Sequence, residues 1–84
     1  MAKLKYTPRD IGGIIRQARR SLGVTQRGLA LTSGTGLRFI IELEKGKETA
    51  EFGKVLTVLQ TLGIQLTLTP PPATKRGQGD GALA

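Results

Sequence analysis

With 84 residues the chain has material for one small domain, whose core is marginal alone and gains from dimerisation. Its 13 basic and 6 acidic residues leave a net charge of +7, which suits a polyanionic partner and is also common in ribosomal and membrane-surface proteins. Cysteine and histidine are absent and the carboxylates are few (Asp10, Asp80, Glu42, Glu44, Glu48, Glu51), so no disulfide framework, metal site, cofactor or enzymatic centre is expected.

Residues 1–6 form a short basic arm with Lys3 and Lys5, expected to be flexible as termini commonly are. A first helix is predicted over 8–22, with Thr7 as N-cap, Pro8 at N1 and Asp10 at N3. Ile11, Ile15, Ala18 and Leu22 recur at helical spacing as its apolar stripe, broadened by Ile14. Gly12 and Gly13 each weaken this helix by about 1 kcal/mol relative to Ala, which close packing by a neighbouring backbone would explain. Arg16, Arg19 and Arg20 leave on the polar side, and Arg20 reads as part of a solvated face.

A second helix is expected over 25–32, capped by Thr25, with Leu29 and Ala30 as its apolar face. Ser33-Gly34 supplies a tight turn. A third helix is expected over 35–45, closed by Gly46, with Phe39, Ile40 and Leu43 turned inward. Two short helices with facing apolar stripes and a small-residue turn make a helix-turn-helix, whose second helix can enter the major groove of DNA. Leu37, Arg38, Ile41 and Glu42 are assigned to its outer side. There Arg can read guanine, Glu can accept from cytosine, and an apolar side chain can touch a thymine methyl. Gln26, in the first turn of the preceding helix, is placed against a phosphate.

After a basic loop, Lys45-Gly46-Lys47-Glu48, a fourth helix is predicted over 49–62 with Thr49 as its cap and Glu51 favourable to the dipole. Phe52, Val55, Leu56, Leu59 and Leu62 are its expected core face, and Gly63 closes it. Over 64–69 the period changes: Ile64, Leu66 and Leu68 alternate with Gln65, Thr67 and Thr69, the pattern of a half-buried strand. A lone strand cannot satisfy its own backbone, so the simplest partner is its copy in a second chain; the alternative is a strand lying flat on its own helices. Pro70-Pro71-Pro72 ends it, and residues 70–84 are expected to be a disordered tail. The folded domain is thus expected over 7–69. No apolar run approaches membrane-spanning length and no signal peptide is visible, so a cytoplasmic, nucleoid-associated location is expected.

The pattern L-G-x-T-Q…L-A…S-G…F-I-x-E-L-E-x-G-K resembles the Cro/CI-type (XRE) helix-turn-helix family. The continuation through Thr49-Ala50-Glu51 and Leu62-Gly63-Ile64-Gln65-Leu66 is similar to HipB-like antitoxins, and the resemblance covers Asp10 to Thr69. It implies an all-α fold of four to five helices with one C-terminal β-strand pairing across a homodimer. It further implies a partly buried ion pair between Arg19 and Glu44, with Arg19 also reaching a phosphate. Lys47, Lys45 and Thr35 join Gln26 as phosphate contacts. Such a two-fold dimer presents two recognition helices about 34 Å apart to a palindromic operator in double-stranded DNA. The implied function is a transcriptional repressor that autoregulates its operon as the antitoxin of a HipA-like serine/threonine kinase toxin, which it neutralises by complex formation. Two other readings stay open: a stand-alone phage-like repressor, and a protein-binding adaptor or inhibitor that no longer binds DNA. Gly28 and Ser33 depart from the family's habit, at positions where a helix former and an apolar residue are usual.

Overall fold

The computed structural model describes residues 6–72. Among them are four helices, α1 (Pro8–Ser21), α2 (Gln26–Ser33), α3 (Leu37–Glu44) and α4 (Phe52–Thr61). The expected basic arm falls, but for Tyr6, outside the described residues, as does the tail from 73 onward. No helix among the described residues is long and apolar enough to cross a membrane.

α1 opens on a full capping box: the Asp10 amide donates to the Thr7 hydroxyl at 3.1 Å, and the Thr7 amide donates to the Asp10 carboxylate at 3.0 Å. Its inner face is narrower than the sequence implies. Ile15 is fully buried and Ile11 and Ala18 partly so, but Ile14 and Leu22 are 40% and 60% exposed. Arg19, one turn beyond Ile15, occupies the place on the inner face that Leu22 was expected to fill.

Thr25 caps α2 by accepting from the Gly28 amide at 2.9 Å, and Gly34 closes it. α3 begins two residues later than expected. The Thr35 amide is already committed to the Ala30 carbonyl at 3.1 Å, so Thr35 still belongs to the turn that ends α2, and Gly36 is the N-cap. α4 begins three residues later than expected. Thr49 lies in a turn and caps nothing; Glu51 is the N-cap, its backbone carbonyl accepting from the Lys54 and Val55 amides, both at 3.1 Å.

The core is formed by Ile15, Leu29, Ala30, Ile40, Leu43, Val58 and Leu59. Each large apolar side chain so buried contributes about 1.5–3 kcal/mol. Val58, fully buried, was not among the residues expected on α4, whereas Phe52 was and is 66% exposed. With the helix starting at Phe52, its inner face runs through Val55, Val58, Leu59 and Leu62, leaving Phe52 on the flank. Residues 64–69 carry neither helix nor ladder within the single chain. Ile64 packs on the core, while Leu66 and Leu68 are 46% and 79% exposed.

Two glycines let α1 and the end of α3 approach each other. A Cβ at Gly12 would overlap the Leu43 carbonyl oxygen and lie 2.8 Å from that of Glu44. Gly46 has φ +91°, and a Cβ there would lie 2.7 Å from the Arg9 Cα. The adjacent Gly13 has open space where its Cβ would be. Gly12→Ala should therefore destabilise by about 1–3 kcal/mol through overpacking, whereas Gly13→Ala should stabilise by up to about 1 kcal/mol. Urea denaturation of the two variants at one protein concentration checks this, and equal shifts would deny the close approach.

Candidate nucleic-acid interface

The end of α3 is fixed from beneath by charge. Arg19 Nε donates to Glu44 Oε2 at 2.7 Å, and its terminal nitrogen donates to Glu44 Oε1 at 3.1 Å. The other terminal nitrogen donates to the Val24 carbonyl at 2.8 Å. Gln26 Nε2 adds a donor to Glu44 Oε1 at 3.1 Å. The two charged side chains are only 10% and 3% exposed. The hydrogen bond to Glu44 holds the Arg19 guanidinium protonated more firmly than usual, against the opposing pull of burial. With its nitrogens directed to Glu44 and Val24 and little surface open, Arg19 is an anchor.

On α3 the inner face is Ile40, Leu43 and Glu44, with Leu37 packed against the core one turn before Ile40. Leu37 is half-buried there, part of its side chain against the core, and the rest lies at the N-terminal edge of the outer face. Arg38 and Glu42 point outward, one turn apart, and Lys45 follows them at the helix end. Ile41 is half-buried at the edge of this face. The Arg38 side chain is 84% exposed.

The outward face carries its own counter-ion. Glu42 Oε1 accepts from Lys47 Nζ at 2.9 Å, and Glu42 Oε2 lies 3.9 Å from Arg38. The close of α3 holds this pair together. The Lys47 amide donates to the Glu42 carbonyl at 3.1 Å and the Gly46 amide to that of Leu43 at 3.0 Å, a Schellman pattern. The Lys47 hydrogen bond, then the charges of Lys47, Arg38 and Lys45, hold the Glu42 carboxyl below the usual glutamate range against a desolvation effect in the other direction. In the free chain, then, Lys47 is occupied by Glu42. Thr35, also expected at a phosphate, is half-buried and shares a 2.9 Å hydrogen bond with the Ser33 hydroxyl.

Where α1, α2 and α3 meet there is an open cleft of about 540 Å³ that brings Gln26, Ile41 and Lys45 together. It also brings in Arg16 and Arg20, which the sequence reading did not place at the interface. Their spacing of four residues on one helix was the available signal. Among the described residues no group of His, Cys, Asp or Glu could hold a metal ion.

Comparison with known proteins agrees with this geometry. A family model described as a helix-turn-helix domain matches residues 12–68. The uncharacterized HTH-type transcriptional regulator y4mF of Sinorhizobium fredii is 51% identical over 71 residues, spanning 84% of this chain and 93% of that protein. Among solved structures, a HipB–O4 20mer complex aligns with TM-score 0.70 at 24% identity, over 83% of this chain and 97% of that one. A chain of a HipA–HipB–O2–O3 complex aligns with TM-score 0.71 at 24% identity and the same coverage. At these identities the structural likeness concerns the fold.

Glu44→Ala should strand the Arg19 charge and lower the unfolding free energy by about 3–5 kcal/mol. The double variant R19M/E44L, which removes both charges and keeps the volume, should recover most of that; a fully stable E44A would deny the pair its anchoring role. Glu42 should titrate below ordinary glutamates by carboxyl NMR. Because its carboxyl is held low in the folded state, the stabilisation from this contact is present at neutral pH and lost as acid titrates the group. Lys47→Ala should raise the midpoint, and an unmoved midpoint would show that the ammonium does not rest on Glu42 in solution.

Proposed function

The chain belongs to the helix-turn-helix domain family, and from that premise we propose that it is a sequence-specific transcriptional repressor acting as a homodimer on a palindromic operator. The observation that carries this reading is the outer face of α3. Arg38 stands there 84% exposed, on a helix whose other side is locked into the core, with Glu42 beside it and a surplus of cations around it. In this reading Arg38 takes guanine through O6 and N7, Glu42 accepts from a base amino group, and Ile41 meets a thymine methyl. Gln26, Thr35, Lys45 and Lys47 hold phosphates, which set affinity and register without reading sequence. Lys47 exchanges Glu42 for a phosphate as it binds, and that exchange frees Glu42 for a base.

The dimer is supported by the alternation at 64–69, with Leu66 and Leu68 left exposed in the single chain. A strand of that pattern finds its ladder in a second copy, and two recognition helices then sit about 34 Å apart, one helical turn of DNA. The finer reading is a HipB-like antitoxin that works in the cytoplasm, autoregulates its operon and neutralises a HipA-like kinase toxin by binding it. Its support is the fold shared with HipB chains, one of them in a complex with HipA and O2–O3. A stand-alone repressor is the second reading. It is favoured by the relative at 51% identity, whose name is that of a transcriptional regulator only.

The test is a titration of the chain on duplex from its own promoter against scrambled duplex, at two salt concentrations. Tight, promoter-selective binding with a slope of several released ions is expected. Arg38→Ala should then relax preference at one base position by about 1–3 kcal/mol. Equal, weak binding to both duplexes would overturn the repressor reading. Co-purification with a HipA-like kinase separates the antitoxin from the stand-alone repressor.

A further inference from the structure

Arg9, Gly13, Arg16 and Arg20 stand at i, i+4, i+7 and i+11 of α1 and are all exposed, so they form one stripe along the helix. None of the three arginines has an ion pair or hydrogen bond among the described residues. The nearby carboxylates are already occupied: Asp10 closes the Thr7 cap, Glu44 holds Arg19 and Gln26, and Glu42 holds Lys47. Like charges four residues apart oppose helix formation, so the stripe stands against the local preference of its own helix.

Gly13 adds a second, independent oddity. A glycine inside a helix weakens it, and Gly12 has a packing reason to be there whereas Gly13 has none, with open space where its Cβ would be. What Gly13 does provide is bare backbone in the middle of a row of arginines, where a bulky ligand can come closest. A shallow groove lined by Gly13, Arg16, Gln17, Arg20 and Ser21 contains no carboxylate. It shares Arg16 and Arg20 with the cleft that reaches Ile41 and Lys45, so the stripe is continuous with the edge of the α3 outer face.

We propose that the stripe Arg9–Gly13–Arg16–Arg20 of α1, continuing from Lys45, is a second track for the sugar–phosphate backbone of DNA, beyond the contacts at α2 and the 45–47 loop. The proposal rests on the repressor reading. A duplex whose groove receives α3 must carry a backbone past the edge formed by Ile41 and Lys45, and the stripe continues from that edge. Unpaired guanidinium groups are suited to phosphate oxygens, which they meet in bidentate fashion. An acidic peptide would meet the charges too, but nothing in its chemistry calls for the stripe to join the α3 face.

The test uses the full chain and the double variant R16A/R20A on promoter and scrambled duplexes across a salt series. Both side chains are exposed and unpaired, so the fold is expected to stay intact, checked by thermal unfolding. Affinity for both duplexes should fall about tenfold alike, and the salt slope should drop by about two, with the preference between duplexes unchanged. Gly13→Gln should raise the melting temperature yet weaken binding to both duplexes, a combination that unfolding cannot produce. Wild-type slope and affinity in R16A/R20A, with the parent still selective for its promoter, would overturn the track and leave the repressor reading standing. A parent that binds neither duplex would remove both. If polyglutamate binds the parent as tightly as duplex and is lost in R16A/R20A while duplex binding is not, the stripe is an acidic-peptide site and the proposal fails.

Discussion

Arg19 and Glu44 share two hydrogen bonds beneath the end of α3, where neither side chain has much water to fall back on. Taking such charges out of water is expensive, and an ion pair of this kind holds only when its remaining donors and acceptors are also met. Here they are met by groups from different elements: the Val24 carbonyl ahead of α2 and the Gln26 amide from its first turn. One point thus ties α1, α2 and α3 together, and the angle at which α3 leaves the domain is set there. A hydrophobic contact of the same size would be less directional. The pair fixes orientation through hydrogen-bond geometry, which suits an element proposed to enter a groove.

The outer surface is governed by the opposite arrangement. Within the domain each buried charge has a partner, whereas outside it the cations outnumber the carboxylates available to them. Glu42 is one of the outer carboxylates, held by Lys47 and close to Arg38. The field presented by α3 is therefore not simply positive. It contains a carboxylate whose partners are groups of the kind a phosphate or a guanine attracts, so in the proposed reading binding exchanges one set of charge-assisted contacts for another. Exposed pairs contribute little to stability, about 0–1 kcal/mol, which makes such an exchange inexpensive.

The helix-turn-helix was legible because its signals are local and agree with one another. The box at Thr7 and Asp10, the cap at Thr25 and the left-handed Gly34 each depend on residues a few positions apart. What the sequence misled on was where helices begin. Thr35 reads as a helix start, but its amide closes the previous helix, so α3 begins only at Leu37. Thr49 reads as the cap of α4, but it lies in a turn and the helix begins at Phe52; packing buries Val58 and leaves Phe52 exposed. The Arg16 and Arg20 surface depended on long-range placement. Nothing in their local sequence says that α3 ends beside them.

Gly46 lies against the Arg9 backbone at φ +91° and leaves no room for a side chain. The loop bearing Lys45 and Lys47 is therefore seated on α1 rather than suspended from the end of α3. In thermodynamic terms the loop backbone is preorganised: its conformational freedom is given up on folding, not on association, so less ordering entropy opposes each contact its lysines make. The same seating fixes the loop's length: an inserted residue would lift Lys47 off Glu42 and Gly46 off Arg9 together.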